Sequence, residues 1–121
     1  MERELNAKER CWLDTLLQYD FLGKKELQEQ IKHSLVCPDY QKGYISLKLM
    51  VNSECSKVPF GERVPVEMIA YQPKDVPPVE LLLHVINGYI DELEIYNAGG
   101  YEISGDFLLD NVKITINAGI K

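Results

Sequence analysis

The stretch that decides the fold is residues 79–96, which read VELLLHVINGYIDELEIY. Two runs rich in β-forming residues, 79–86 and 89–96, are separated by the dipeptide Asn87-Gly88. Asn-Gly between two such runs is typical of a two-residue type I′ turn, because both central residues of that turn need positive φ. The stretch therefore predicts an antiparallel β-hairpin.

The two-residue turn also predicts how the hairpin strands pair, since it fixes their register. An uninterrupted register places His84 opposite Asp91, and it places Glu92 and Glu94 together on the other face of the ribbon. The first strand is apolar on both faces, which indicates a central strand covered on each side. The second strand has one acidic face and is expected to be more exposed.

Alternating apolar and polar residues predict three more strands outside the hairpin. They lie at about residues 44–51, 66–71 and 112–117, and every second residue in each is apolar. That period of two is typical of a strand with one buried face. Residues 72–78 contain three prolines and are expected to form a turn or a short stiff linker within the domain.

Two helices are predicted before the strands. A stripe of apolar residues at helical spacing predicts an amphipathic helix over about residues 7–19. Asn6 and Glu9 fit a capping box at its start, because the Asn side chain accepts from the first turn while the Glu side chain reaches back. Gly23 suits a helix C-terminal turn, and a second, shorter helix is expected to end at His33.

These elements predict a single domain of the α+β class, residues 1–121. A helical pair, at about residues 6–33, is expected to pack on a mainly antiparallel sheet of four to five strands, at about residues 44–117. A chain of 121 residues with 45% apolar content can bury one core of that kind.

The composition argues against several classes of partner. The net charge is -6 and no basic block is present, whereas a nucleic-acid binder needs clustered Lys and Arg to neutralise phosphates. The longest apolar stretch, residues 79–86, is far too short to cross a bilayer. The charged segment after Met1 has no apolar signal region, so we expect a cytoplasmic protein without nucleic-acid or membrane partners.

The negative charge is concentrated in the last part of the chain. Residues 73–121 contain eight acidic and three basic residues, and the hairpin lies within them. We therefore favour a small non-enzymatic interaction protein that presents an acidic sheet face to a basic protein partner, with an immunity or antitoxin-like inhibitor as one form. The candidate binding residues are Glu92, Glu94, Tyr96, His84 and Asp91.

The predicted pairing of His84 with Asp91 leaves an alternative open: a small-molecule or metal-dependent enzyme. A carboxylate that orients an imidazole is half of a nucleophilic triad, and the pair could also begin a metal site. No nucleophile-elbow motif accompanies it, and a third ligand at Glu80 would lie roughly 13 Å along the strand. We therefore predict no catalytic residue, metal ligand or cofactor.

Two further expectations concern the thiols and the oligomeric state. The chain has three cysteines and no CxxC pair, which fits reduced thiols better than disulfides or a zinc site. The exposed part of the sheet could also form a homodimer, and we keep that hypothesis open.

One set of turn and core positions forms a pattern along the chain: Trp12, Leu13, Leu16, Leu17, Asp20, Phe21, Gly23, Leu27, Gln30, 64–66, 84–89 and 92–96. This pattern resembles a family of small uncharacterised bacterial cytosolic proteins. These proteins combine an N-terminal helical segment with a sheet whose hairpin strand reads Gly-x-x-x-Glu-Leu-Glu. The resemblance covers most of residues 8–100 and implies no activity, because the shared positions are turns and core residues. Gly99-Gly100 departs from it, since an acidic residue followed by Gly is expected there.

Overall fold

The computed structural model describes residues 1–119, which form two helices and six strands. The predicted α+β class is confirmed, although the sheet has six strands and not four to five. Neither helix is long and apolar enough to cross a membrane. The elements are α1 (Ala7–Leu16), α2 (Lys24–Lys32), β1 (Ser34–Tyr40), β2 (Tyr44–Val51), β3 (Val66–Ala70), β4 (Val79–Ile86), β5 (Tyr89–Tyr96) and β6 (Val112–Ile116).

The strands form one antiparallel sheet in the order β1-β2-β5-β4-β3-β6. The predicted hairpin, β4 with β5, is its centre, and its turn residues Asn87 and Gly88 have φ of 54° and 86°. The additional strand is β1, at one edge. It contains Pro38, which is uncommon in strands because it has no backbone N–H to donate. At an edge Pro38 is tolerated, since one side of the strand has no neighbouring strand to bond.

The hairpin register differs from the predicted one beyond its first two pairs. Val85 still pairs with Ile90, but His84 pairs with Glu92, so Asp91 is an extra residue in a β-bulge. The prediction that His84 faces Asp91 is therefore wrong. Without the bulge, the acidic side chain of Glu92 would share the face of Leu83 in the core, and burying a carboxylate there is unfavourable.

The bulge gives the sheet an apolar face, here called the inner face, on which both helices pack. Buried side chains from α1, α2 and the five strands β1 to β5 meet there in one core cluster. The buried positions in β2 and β3 are the predicted ones, whereas in the hairpin the bulge changes which residues of β5 share a face with those of β4. The members at most 2% exposed include Trp12, Leu13, Leu16, Leu27, Ile45, Leu47, Val66, Met68, Leu81, Leu83, Leu93 and Ile95.

The N-terminus of α1 is held by the predicted capping box. The Glu9 amide donates to the Asn6 side chain at 2.8 Å, and the Asn6 amide donates to the Glu9 carboxylate at 3.0 Å. The same buried carboxylate accepts from the two terminal guanidinium nitrogens of Arg3, at 2.8 and 2.7 Å, and from the Tyr40 hydroxyl at 2.7 Å. Glu9 therefore joins the N-terminal segment and β1 to the first helix.

The second helix fixes the position of the hairpin turn. Gly23, with φ of 95°, precedes α2 as its N-cap, so it does not end α1 as expected. The fully buried Gln30 donates to the carbonyl oxygens of Ser56 and Gly88, each at 2.9 Å, and accepts from the Ile90 amide at 2.9 Å. This side chain satisfies buried backbone groups at the turn and locks the hairpin against the helical layer.

Candidate interaction face

The face of the sheet opposite the helices, here called the outer face, gathers most of the predicted binding residues. Glu92, Glu94, Tyr96 and His84 all lie on it, on the two central strands. Cross-strand pairing arranges its side chains in three rows. The rows are Cys37-Lys48-Glu92-His84, then Asp39-Ser46-Glu94-Leu82-Glu67-Thr115, then Tyr44-Tyr96-Glu80-Ile69-Lys113.

Acidic side chains outnumber basic ones on the outer face. The rows contain two lysines, Lys48 and Lys113, against five carboxylates. The neighbouring long polar side chains leave Leu82 only half-buried, so the expectation of a layer on each side of β4 is wrong for this face. In the described chain, both helices pack on the inner face. The carboxylates are those of Asp39, Glu67, Glu80, Glu92 and Glu94.

Glu92 is more enclosed than Glu94: its side chain is 14% exposed, against 26% for that of Glu94. Its carboxylate accepts hydrogen bonds from the hydroxyls of Ser46 and Tyr44, and the Lys48 ammonium lies 3.7 Å away. Burial acts to raise the pKa of Glu92, but the Ser46 hydrogen bond and the Lys48 charge outweigh it and lower that pKa. Glu92 therefore stays ionised and organises its neighbours.

His84 is held by Glu94 and not by Asp91. Its Nε2 lies 2.8 Å from the Glu94 carboxylate, and the two side chains are 16% and 26% exposed. Its Nδ1 is buried and has no hydrogen-bond partner among residues 1–119. Asp91, displaced by the bulge, lies 3.4 Å from Lys48 instead. The sequence could not show this exchange, because the residue that would bulge is not marked by a glycine or a proline.

Two tyrosines line the end of the outer face nearest the β4 N-terminus. Burial raises the pKa of Tyr44, and so do the charges of Glu92 and Glu94. Burial likewise raises the pKa of Tyr96, together with the charges of Glu80 and Glu94. Both hydroxyls therefore remain protonated donors. Tyr44 was not a candidate residue in the sequence, because only the pairing of β2 with β5 brings it beside the hairpin.

Neither ring nitrogen of His84 is open to a bound molecule in this arrangement. A general base must reach the proton that it removes, but Nε2 of His84 is engaged by Glu94 and its Nδ1 is buried. In the part of the chain that the structure describes, no three His, Cys, Asp or Glu side chains are grouped to hold a metal ion. What the outer face offers is a set of fixed carboxylates and phenols at a surface.

A small apolar cavity of about 190 Å³ lies away from the outer face. It is formed between the proline-rich segment 72–78 and the segment 97–108, with Val76, Pro77 and Phe107 in its walls. It contains none of the predicted binding residues, so it does not extend the acidic site.

Comparisons of the chain with protein-family models, with curated proteins and with solved structures gave no match. A function therefore has to be inferred from the structure itself.

Proposed function

We propose that this protein is a non-enzymatic interaction protein whose outer face binds a basic surface of another protein. The observation that supports the proposal is the excess of carboxylates on a sheet face that neither described helix covers. Opposite charge on a partner accelerates encounter and fixes its orientation. Two lysines within the rows leave the local balance negative.

The carboxylates differ in how much binding capacity they keep. The Glu92 carboxylate already accepts hydrogen bonds from Ser46 and Tyr44 and lies beside the Lys48 ammonium. Glu94 and Glu80 are less occupied: Glu94 accepts from His84 through one oxygen, and the hydrogen-bond partner of Glu80 is the Tyr96 hydroxyl. Glu80 and Glu94 are therefore the groups that we assign to direct contact with Arg or Lys side chains of the partner.

Tyr96 lies between the two contact carboxylates. It is directly opposite Glu80 and two residues beyond Glu94 on the same face of β5. A guanidinium that pairs with either carboxylate can also stack on an aromatic ring, which adds a cation–π interaction. This combination favours an arginine-rich partner surface over one that contains only lysine.

The cellular form that we propose is a cytoplasmic inhibitor of a basic effector, similar in role to an immunity protein or antitoxin. Such inhibitors work by occupying a charged surface, so they need shape and charge but no catalytic group. The alternative, an enzyme that uses His84 and Asp91, required these two side chains to be paired. His84 instead contacts Glu94.

The proposal is tested by identifying the bound protein through cross-linking in native cells and then titrating the purified pair. We expect the double variant Glu80→Lys/Glu94→Lys to weaken binding at least about tenfold at low salt, with a smaller difference at high salt. The matched control is Glu29→Lys/Glu102→Lys, which makes the same charge change at exposed positions outside the outer face. A partner whose affinity is indifferent to the first pair, or equally sensitive to both, would contradict the proposal.

A further inference from the structure

The two edges of the sheet are protected to different degrees. At the β1 edge, the N-terminal segment forms a bridge in which the amide and carbonyl of Arg3 bond those of Val36 at 2.9 and 2.7 Å. Pro38 also lies in that strand. At the β6 edge, the backbone N–H and C=O groups that point away from β3 have no hydrogen-bond partner within residues 1–119.

The bonds that flank β6 identify those outward atoms. The Tyr71 amide donates to the carbonyl of Asn111, and the Asn117 amide donates to the carbonyl of Pro65. In an antiparallel ladder, residues bonded to the neighbour alternate with residues that point away from it. Lys113 and Thr115 therefore bond β3, while the backbone groups of Val112, Ile114 and Ile116 point outward.

The same three residues carry the apolar side chains of β6. Val112, Ile114 and Ile116 face the inner side and pack against the core, but each is only partly buried. The core is thus incompletely covered at the same edge that has unpaired backbone groups. An edge of this kind is a template for another strand.

We propose that β6 pairs with β6 of a second copy of this chain, antiparallel and centred on Ile114. The outward groups of Ile114 meet those of Ile114 of the partner subunit, and Val112 meets Ile116 of the partner subunit. Three directly bonded pairs form, and the half-covered apolar side chains of both copies join on one inner side.

Charge selects this register over its neighbours. Moving the centre by one residue toward the N-terminus would place Lys113 against Lys113 of the partner subunit, and like charges directly opposite destabilise a strand pair. Moving the centre by one residue toward the C-terminus would place Val112 opposite Ala118 of the partner subunit, which lies beyond the end of β6. In the proposed register Lys113 faces Thr115 of the partner subunit, so the lysine that guards the edge meets a neutral group.

The pairing goes beyond the proposed function and has a consequence for it. Two sheets of six strands become one sheet of twelve, with both helical layers on the same side. The two acidic outer faces then form one continuous surface able to bind two copies of a partner. Each chain carries a net charge of -6, so we expect the dimer to strengthen as salt screens the repulsion.

Charge changes at Thr115 test the register by sedimentation equilibrium. Thr115→Lys places like charges opposite at two symmetric positions and should raise the dimer Kd about tenfold, whereas Thr115→Glu should lower it. Gln28→Lys and Gln28→Glu make the same charge changes at an exposed position of α2. Thr115 lies opposite Glu67 within one subunit, so the lysine of Thr115→Lys meets an opposite charge that favours the folded monomer. A weaker dimer in this variant would therefore not result from unfolding of the subunit.

Amide hydrogen exchange of the unaltered chain provides the second measurement. The amides of Val112, Ile114 and Ile116 should gain protection as protein concentration rises, while those of Lys113 and Thr115 should be protected at every concentration. A chain that stays monomeric, with those three amides exchanging freely, overturns the proposal and leaves the edge to a strand of another protein. A dimer that responds equally to the Thr115 and Gln28 changes also overturns it.

Discussion

The inner and outer faces of the sheet are built from alternate residues of the same strands, yet they have opposite characters. Leu81 and Leu83 are completely buried under the helices, whereas Leu82, between them, is half-buried among acidic side chains. Because side chains alternate strictly, the one extra residue at Asp91 is enough to place Leu93 on the inner face with Leu83 and Glu92 on the outer face with His84. The position of a single bulge thus decides which carboxylates reach the candidate interaction face.

The largest effect is expected from single-residue deletions in β5. Deleting Asp91 removes the bulge but leaves Glu92 opposite His84 and Leu93 opposite Leu83, so the variant should fold with both faces preserved. Deleting Glu94 should prevent folding, because Ile95 must then leave the inner face or the bulge must close and expel Leu93. Circular dichroism and urea unfolding of the two variants measure the difference.

The two deletions control for each other, since each shortens the same strand by one acidic residue. Equal loss of structure in both variants would show that the length of β5, and not the facing of its side chains, governs the fold.

A smaller contrast is expected between truncations of adjacent leucines in β4. Leu83→Ala empties a completely buried site and should lower the free energy of unfolding by about 2–5 kcal/mol. Leu82→Ala, which removes the same atoms from the half-buried outer face, should cost about 1 kcal/mol or less. Urea unfolding at neutral pH measures both, and comparable losses would mean that the outer face is packed like a core.

The smallest contrast is expected between two carboxylates on opposite sides of the sheet. Burial acts to raise the pKa of Glu9, but hydrogen bonds from Arg3, Asn6 and Tyr40 outweigh it, so that pKa is lowered, as it is at Glu92. As the pH falls below about 4.5, both carboxylates take up a proton in the unfolded chain before they do so in the folded one. The stability that they contribute above that pH is therefore lost as the pH falls through each lowered pKa. The contribution is fully present at neutral pH.

Glu9→Gln should therefore cost about 1–3 kcal/mol at neutral pH and flatten the acid limb of a stability–pH profile. Glu92→Gln should act in the same direction with a smaller size, because its side chain keeps some solvent contact while that of Glu9 has none. Glu4→Gln, at an exposed position, controls for the loss of one charge. An unchanged acid limb in Glu9→Gln would contradict the assignment.

Much of the fold was predictable because its signals are local. The Asn87-Gly88 turn, the capping box of Asn6 with Glu9 and the alternation in β2 each depend on residues a few positions apart. The strand β1 escaped prediction because Pro38 interrupts its pattern, and its stability comes from pairing with β2 and from the Arg3 bridge. The pairing of His84 with Asp91 was wrong because the turn determines register only up to the first irregularity.

The sequence by itself determined that this is an α+β protein with a central hairpin and an acidic strand face, since turn chemistry and side-chain period act over short distances. Only the tertiary structure decided which residues share that face. The bulge at Asp91 places the His84 side chain within hydrogen-bond distance of Glu94, and the alignment of β2 with β5 adds Tyr44, Ser46 and Lys48. These choices depend on burying Leu93 and Ile95 with the apolar residues of distant strands, a free energy that no local segment contains.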